Sequence, residues 1–241
     1  MPRTTVSFAF LLAFAAAIVP GLSQAQMREV APAHASHEVE GLWNHDTLVA
    51  SNGKDIPLDG LFLFHDGVFI EQAVMGTPGS PGTEAMAHTG PFTKTAEGVA
   101  LTAEQQIALA PATATANAFR ADQHHLLKAE NTGDHLTLTF GSGTVQTFTR
   151  IPVRHLRAYA FAEGRLVLAD TRFLLVAGTP EGSVSGYGLY DRTGDTLTLH
   201  AKRWAVSDEA SAEIRADALI TARFDGTTLD LGDGHRFTVV P

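Results

Sequence analysis

"VEGLWNHDTLVASNGKDIPLDGLFLFHDGVFIEQ", Val39 to Gln72, is the stretch on which the fold turns. One Trp stands in Gly41-Leu42-Trp43. Two runs rich in Leu, Val, Phe and Ile lie on either side of His65-Asp66-Gly67. Such runs, broken by Asp-Gly, read as a β-hairpin, because Asp and Gly tolerate the left-handed backbone of tight β turns. The same punctuation recurs down the chain at Asn52-Gly53, Thr132-Gly133-Asp134, Thr193-Gly194-Asp195, Asp225-Gly226 and Asp233-Gly234. No window carries a long amphipathic helix; Ser207 to Arg215 fits a short helical segment or a loop leading into a strand. The first half divides into strands near 41–50, 60–65, 68–75, 86–94, 98–109, 118–130, 134–140 and 144–151. Sequential hairpins of this kind close readily, since closure removes exposed edges. Eight strands enclose an interior filled by side chains or holding one small ligand. The expected class is all-β: an up-and-down antiparallel barrel, with a second, related barrel half behind it.

The N-terminus is read apart from the fold. Arg3 precedes an apolar run from Val6 to Val19 interrupted only by Ser7, and Ser23-Gln24-Ala25 offers a small-x-small cleavage pattern. Residues 1–25 thus read as a secretory signal peptide, too short in its apolar part to span a membrane. Residues 26–37 read as a polar tail. The expected location is periplasmic or secreted, with no membrane association after cleavage. There is no Cys, so neither disulfides nor thiolate sites can form. Net charge is −9 with His neutral, and no run of Lys or Arg occurs, which argues against nucleic-acid partners.

The second half repeats the order of the first. "DGVFIEQAVMGTP" (66–78) aligns with "DTRFLLVAGTP" (170–180), Gly90-Pro91-Phe92 with Gly188-Leu189-Tyr190, and "LLKAENTGDHLTL" (126–138) with "LITARFDGTTLDL" (219–231). This sets Gln105 against Arg203, and Gly186 and Ala218 against His88 and His125. The competing explanation is that all β meanders share apolar alternation and Gly-Asp turns. The domain reading is a first barrel over 38–151 and a shorter barrel-like repeat over 152–241.

Gly41-x-Trp43 on the first strand, Gly90-Pro91-Phe92, Gly143-Thr144 and the late Arg150 together resemble the bacterial lipocalin-like domain family, of calycin type, over about Glu38 to Ile151. The resemblance implies a barrel closed at one end by Trp43, with the Arg150 guanidinium over the indole in a cation–π contact. It implies a cavity but no particular reaction. The second half lacks the Gly-x-Trp opening; its Trp204 falls within a strand.

Alternation selects the residues that face a cavity. On Val99–Leu109, Leu101, Gln105 and Ile107 share one face. His88 and Phe92 share a face on the preceding strand, and His125 belongs to the following one. Glu71 lies in a strand apolar on both faces. Phe92, Leu101, Gln105 and Ile107 are therefore the expected ligand-binding lining, and His88, His125 and Glu71 the candidate acid–base groups. No cofactor fingerprint, phosphate loop, nucleophile elbow or zinc spacing is present, and His34-x-x-His37 falls in the tail. The leading expectation is an exported protein binding a small, largely apolar molecule. The alternatives are a cofactor-independent isomerase, cyclase, lyase or hydrolase using the same cavity, and a structural or interaction module.

Overall fold

The structure, a computed structural model, describes residues 38–76, 83–110, 115–208 and 211–240. The signal-peptide and tail readings, including His34 and His37, lie outside the described residues. Among the described residues every regular element is a β-strand.

The first half consists of β1 (Gly41–Val49), β2 (Asp55–Ile56), β3 (Leu58–His65), β4 (Val68–Met75), β5 (Glu84–Lys94), β6 (Gly98–Ala103), β7 (Gln105–Ala110), β8 (Thr115–Arg120), β9 (Gln123–Asn131), β10 (His135–Phe140) and β11 (Val145–Ile151). Eight of these close into a barrel in the order β4-β3-β1-β11-β10-β9-β6-β5, with β5 returning to β4. The β3–β4 hairpin turns through Asp66 (φ 49°) and Gly67 (φ 76°), the two left-handed residues that a type I′ turn demands.

One expected strand, 98–109, is broken. β5 pairs with β6 through Phe92–Lys94 and with β7 through Ala85–Thr89, and the chain bends between them at Glu104. The bend is drawn tightly over Gly90, where a Cβ would collide with the Thr102 carbonyl and the Glu104 amide. An extra residue at such a bend reverses the in–out parity of the residues beyond it. Leu101 and Ala103 therefore face the barrel interior, while Ile107 and Leu109 face outward into a different core.

The second half consists of β12 (Leu156–Phe161), β13 (Gly164–Ala169), β14 (Arg172–Thr179), β15 (Gly182–Thr193), β16 (Thr196–Ser207), β17 (Ala212–Phe224), β18 (Thr228–Asp230) and β19 (Arg236–Thr238). They pair in sequence order, and a bridge between Phe161 and Val239 brings the last strand back to the first. Of the segment Ser207–Arg215, Ser207 ends β16 and Ala212–Arg215 begins β17, so its described residues carry no helix. The molecule is two lipocalin-like up-and-down barrel halves, one closed and one nearly closed. Phe69 pairs with Gly90 in the first and Phe173 with Gly188 in the second. β16 carries its bulge at Lys202, where β6 gives way to β7 at Glu104.

The predicted closing group is present. Trp43 is fully buried and donates from Nε1 to the Val39 carbonyl at 2.7 Å. The Arg150 guanidinium carbon lies 4.1 Å from the indole centroid, and its Nη1 donates to the Glu40 carbonyl at 2.9 Å. Gly41 (φ 138°) is required there, since a Cβ would run into that guanidinium.

The two-sided apolarity of β4 has a simple origin. Phe69 points into the barrel, while Ile70 and Val74 join Leu174, Val176 and Ala205 of the second half in a shared core between the barrels. Polar contacts edge this core: Gln72 Nε2 donates to Ser185 Oγ at 2.8 Å, Arg165 pairs with Glu104 at 3.1 Å, and Arg203 pairs with Asp59 at 2.7 Å.

Candidate functional site

Three strands deliver a carboxylate and two imidazoles to one point inside the first barrel. On β4, Glu71 shares the inward parity of Phe69. His88 sits directly opposite on β5, in the cross-strand pair Glu71–His88. His45 reaches the same carboxylate from β1, two residues beyond Trp43 and on the same face. It has room because Gly60, on the neighbouring strand, carries no side chain; a Cβ there would stand 3.0 Å from the His45 ring. Glu71 Oε2 contacts His88 Nε2, and Glu71 Oε1 lies 3.1 Å from His45 Nε2. All three side chains are almost wholly buried: Glu71 is 1% exposed, and His45 and His88 are 4%.

A second polar pair lies beside the first. His125 of β9 places Nε2 3.3 Å from Gln106 Oε1, and its ring centroid is 6.0 Å from that of His88. In this arrangement Nε2 donates to the amide oxygen. Phe62, Leu101, Leu127 and Phe140 form apolar walls around these groups, with Met86 at the side. The space left between them is about 10 Å³, near the threshold for one water molecule. Side chains fill the interior.

Electrostatics divide the labour. Burial opposes ionisation of Glu71, but the positive ends of His88 and His45 outweigh it and hold the carboxyl down at about 2. His125 is pushed down to about 4, first by burial and then by His88, so its imidazole is neutral at physiological pH. The site therefore combines a permanent carboxylate, which makes it a weak base but a firm orienter of imidazoles, with a neutral imidazole able to accept a proton. His45 Nδ1 and Nε2, Glu71 Oε1 and His88 Nδ1 are buried without a well-aligned hydrogen bond among the described residues. Such atoms are rare in native interiors, and clustered ones call for a reason beyond packing.

Of the expected residues, Glu71, His88, His125 and Leu101 come together. Phe92 is also inside the barrel but packs edge-on against Phe64, in another part of the core, with ring centroids 5.2 Å apart. Gln105 is a correction: the bend at Glu104 turns it outward, where its Nε2 donates to the Ala162 carbonyl at 3.2 Å, and Gln106 takes the inward place. Ile107 is corrected for the same reason and belongs to the core between the barrels. His45 was missed. The parity it shares with Trp43 is the signal that would have found it.

The second barrel offers an internal control. Counting from the matched pairs Phe69–Gly90 and Phe173–Gly188, Leu175 stands where Glu71 does, Gly186 where His88 does, and Trp204 where Gln106 does. The indole of Trp204 lies against Gly186 and fills the space. Phe161 stands for His45 by its pairing with Gly164. Because Leu199 pairs with Ile220 as Leu101 pairs with His125, the counterpart of His125 is Ile220 rather than the expected Ala218. Every polar member of the first site thus faces an apolar residue or Gly in the second.

Among the described residues no group of three His, Asp or Glu side chains is disposed to hold a metal ion. No known family, no curated protein and no solved structure matches the chain.

Proposed function

We propose that the first barrel is an acid–base site of an exported, lipocalin-like protein, acting without a cofactor on a small substrate that reaches His125 when Met86 and Phe140 move aside from an interior otherwise filled. His125 is the proton acceptor. The Glu71 carboxylate, held between His45 and His88, orients both imidazoles and stabilises positive charge on them. The reaction class is proton transfer in an isomerisation, cyclisation, elimination or hydrolysis. One observation carries this reading: two barrels of the same plan fill the same space, one with Trp and aliphatic side chains and the other with a carboxylate and imidazoles. Buried charge is a poor route to stability compared with apolar filling of similar volume. The second barrel supplies the apolar solution, so the fold does not need the polar one.

The ordered matches between the halves support an internal duplication in which only the first copy kept or acquired a reactive centre. The apolar N-terminal run supports export, and the Trp43–Arg150 closure supports kinship with lipocalin-like domains. A second reading, a structural or interaction module, is favoured by an interior that its own side chains fill, leaving about 10 Å³.

The test is a turnover screen of the purified chain against esters, lactones, enolisable ketones and epoxides, run beside His125→Ala and His88→Ala variants whose folding is verified by circular dichroism. Turnover by the parent that falls at least a hundredfold in His125→Ala, with binding retained, supports the enzyme. No turnover by the folded parent, with no small molecule retained in native mass spectrometry, supports the module. Parent-like behaviour of both folded variants rejects this site.

A further inference from the structure

A second concavity lies outside both barrels. It is the cleft between their outer walls, about 860 Å³ in volume, within the range of small-molecule sites. Its floor on the second barrel is a single cross-strand row. Arg172 pairs with Leu189, Leu189 with His200, and His200 with Leu219, so four side chains from β14 to β17 stand side by side on the outward face. Three strand spacings make this row roughly 14 Å long.

The chemistry of the row is uneven in a useful way. Leu189 and Leu219 are 52% and 67% exposed, and both line this cleft. The other basic side chains of the cleft are engaged. Lys202 holds Asp59 at 2.9 Å, His200 holds Asp191 at 3.2 Å, and Arg150 lies over Trp43. Arg172, at one end of the row, has no side-chain hydrogen bond or ion pair among the described residues. Asp217 lies at the other end, on β17 beside Leu219, and Asp46 on the facing wall accepts from Thr149 Oγ1 at 2.7 Å. At one end the cleft has a guanidinium with no side-chain partner among the described residues, beyond it two exposed leucines flanking His200, and at the far end carboxylates that repel anions. Leu61 and Ile151 of the first barrel supply the opposing apolar wall.

We infer that this cleft is a second binding site, for a linear amphipathic carboxylate whose head group pairs with Arg172 and whose alkyl chain lies along Leu189 and Leu219. A guanidinium suits a carboxylate because its fork matches two oxygens at once. The site is separate from the polar centre inside the first barrel and does not depend on it.

Isothermal titration of the purified chain with dodecanoate, kept below its aggregation concentration, tests the inference. The expected result is saturable one-to-one binding. It should weaken at least tenfold in Arg172→Glu and in Leu219→Asp, both surface substitutions, and stay unchanged in His125→Ala. Dodecyltrimethylammonium, with the opposite head charge, should bind at least tenfold more weakly than dodecanoate. Absence of saturable binding overturns the inference. So does binding that both cleft variants leave intact, or binding that His125→Ala abolishes.

Discussion

Replacing Glu71 by Gln removes one charge and almost no volume, so its effect on stability is electrostatic. In the folded chain the carboxyl is held at about 2 against an ordinary value of 4.5, because the attraction of His88 and His45 exceeds the cost of burial. A depressed folded-state value means that the unfolded chain binds the proton more readily. The contribution is therefore complete above pH 4.5 and is lost as pH falls towards 2. At about 1.4 kcal/mol per pKa unit, this difference corresponds to roughly 3 kcal/mol. Breaking a buried pair by removing one partner costs about 3–5 kcal/mol, which agrees. Urea denaturation at a series of pH values should show Glu71→Gln less stable than the parent by about 3 kcal/mol at pH 6–7. The gap should narrow steadily below pH 4.5. Equal stability at neutral pH, or a gap that widens in acid, would refute the assignment of Glu71 as a buried carboxylate held by His45 and His88.

Two further outcomes are expected. Trp43→Ala should destabilise the chain by about 3–5 kcal/mol in the same assay, because a fully buried indole is lost and Arg150 loses the face it covers; a change under about 1 kcal/mol would mean that the barrel end is closed by something else. Carrying the second barrel's filling into the first, as His45→Phe, Glu71→Leu, His88→Gly and Gln106→Trp together, should leave the urea midpoint unchanged or raised while abolishing any activity of the first barrel. A combined variant that unfolds would show that the polar centre is structural.

Much of the fold was legible because β structure writes itself locally. Gly41-Leu42-Trp43, the Asp66-Gly67 turn and the Leu/Phe alternation around it are short-range signals, and each strand pairs mainly with its neighbours in sequence. The site was legible only in part, because parity propagates errors. One bend at Glu104, imposed by a close approach to Gly90, exchanges Gln105 for Gln106 and sends Ile107 outward; neither residue carries a mark of this in its own type. His125 matched Ile220 instead of Ala218 because pairing register, rather than turn position, sets which residues face one another. The packing of the two halves was foreshadowed by β4 alone, whose two apolar faces need two cores.

The central claim is that the first barrel holds an ionised carboxylate among imidazoles, with a neutral histidine ready to accept a proton. NMR titration of the chain, labelled at the histidine ring nitrogens and the glutamate carboxyl carbons, measures both groups directly. The His125 ring should remain neutral down to a midpoint near pH 4, and the Glu71 carboxyl should show no titration above about pH 3. A His125 midpoint near 6.5 together with a Glu71 midpoint near 4.5, the values of solvated side chains, would contradict the account.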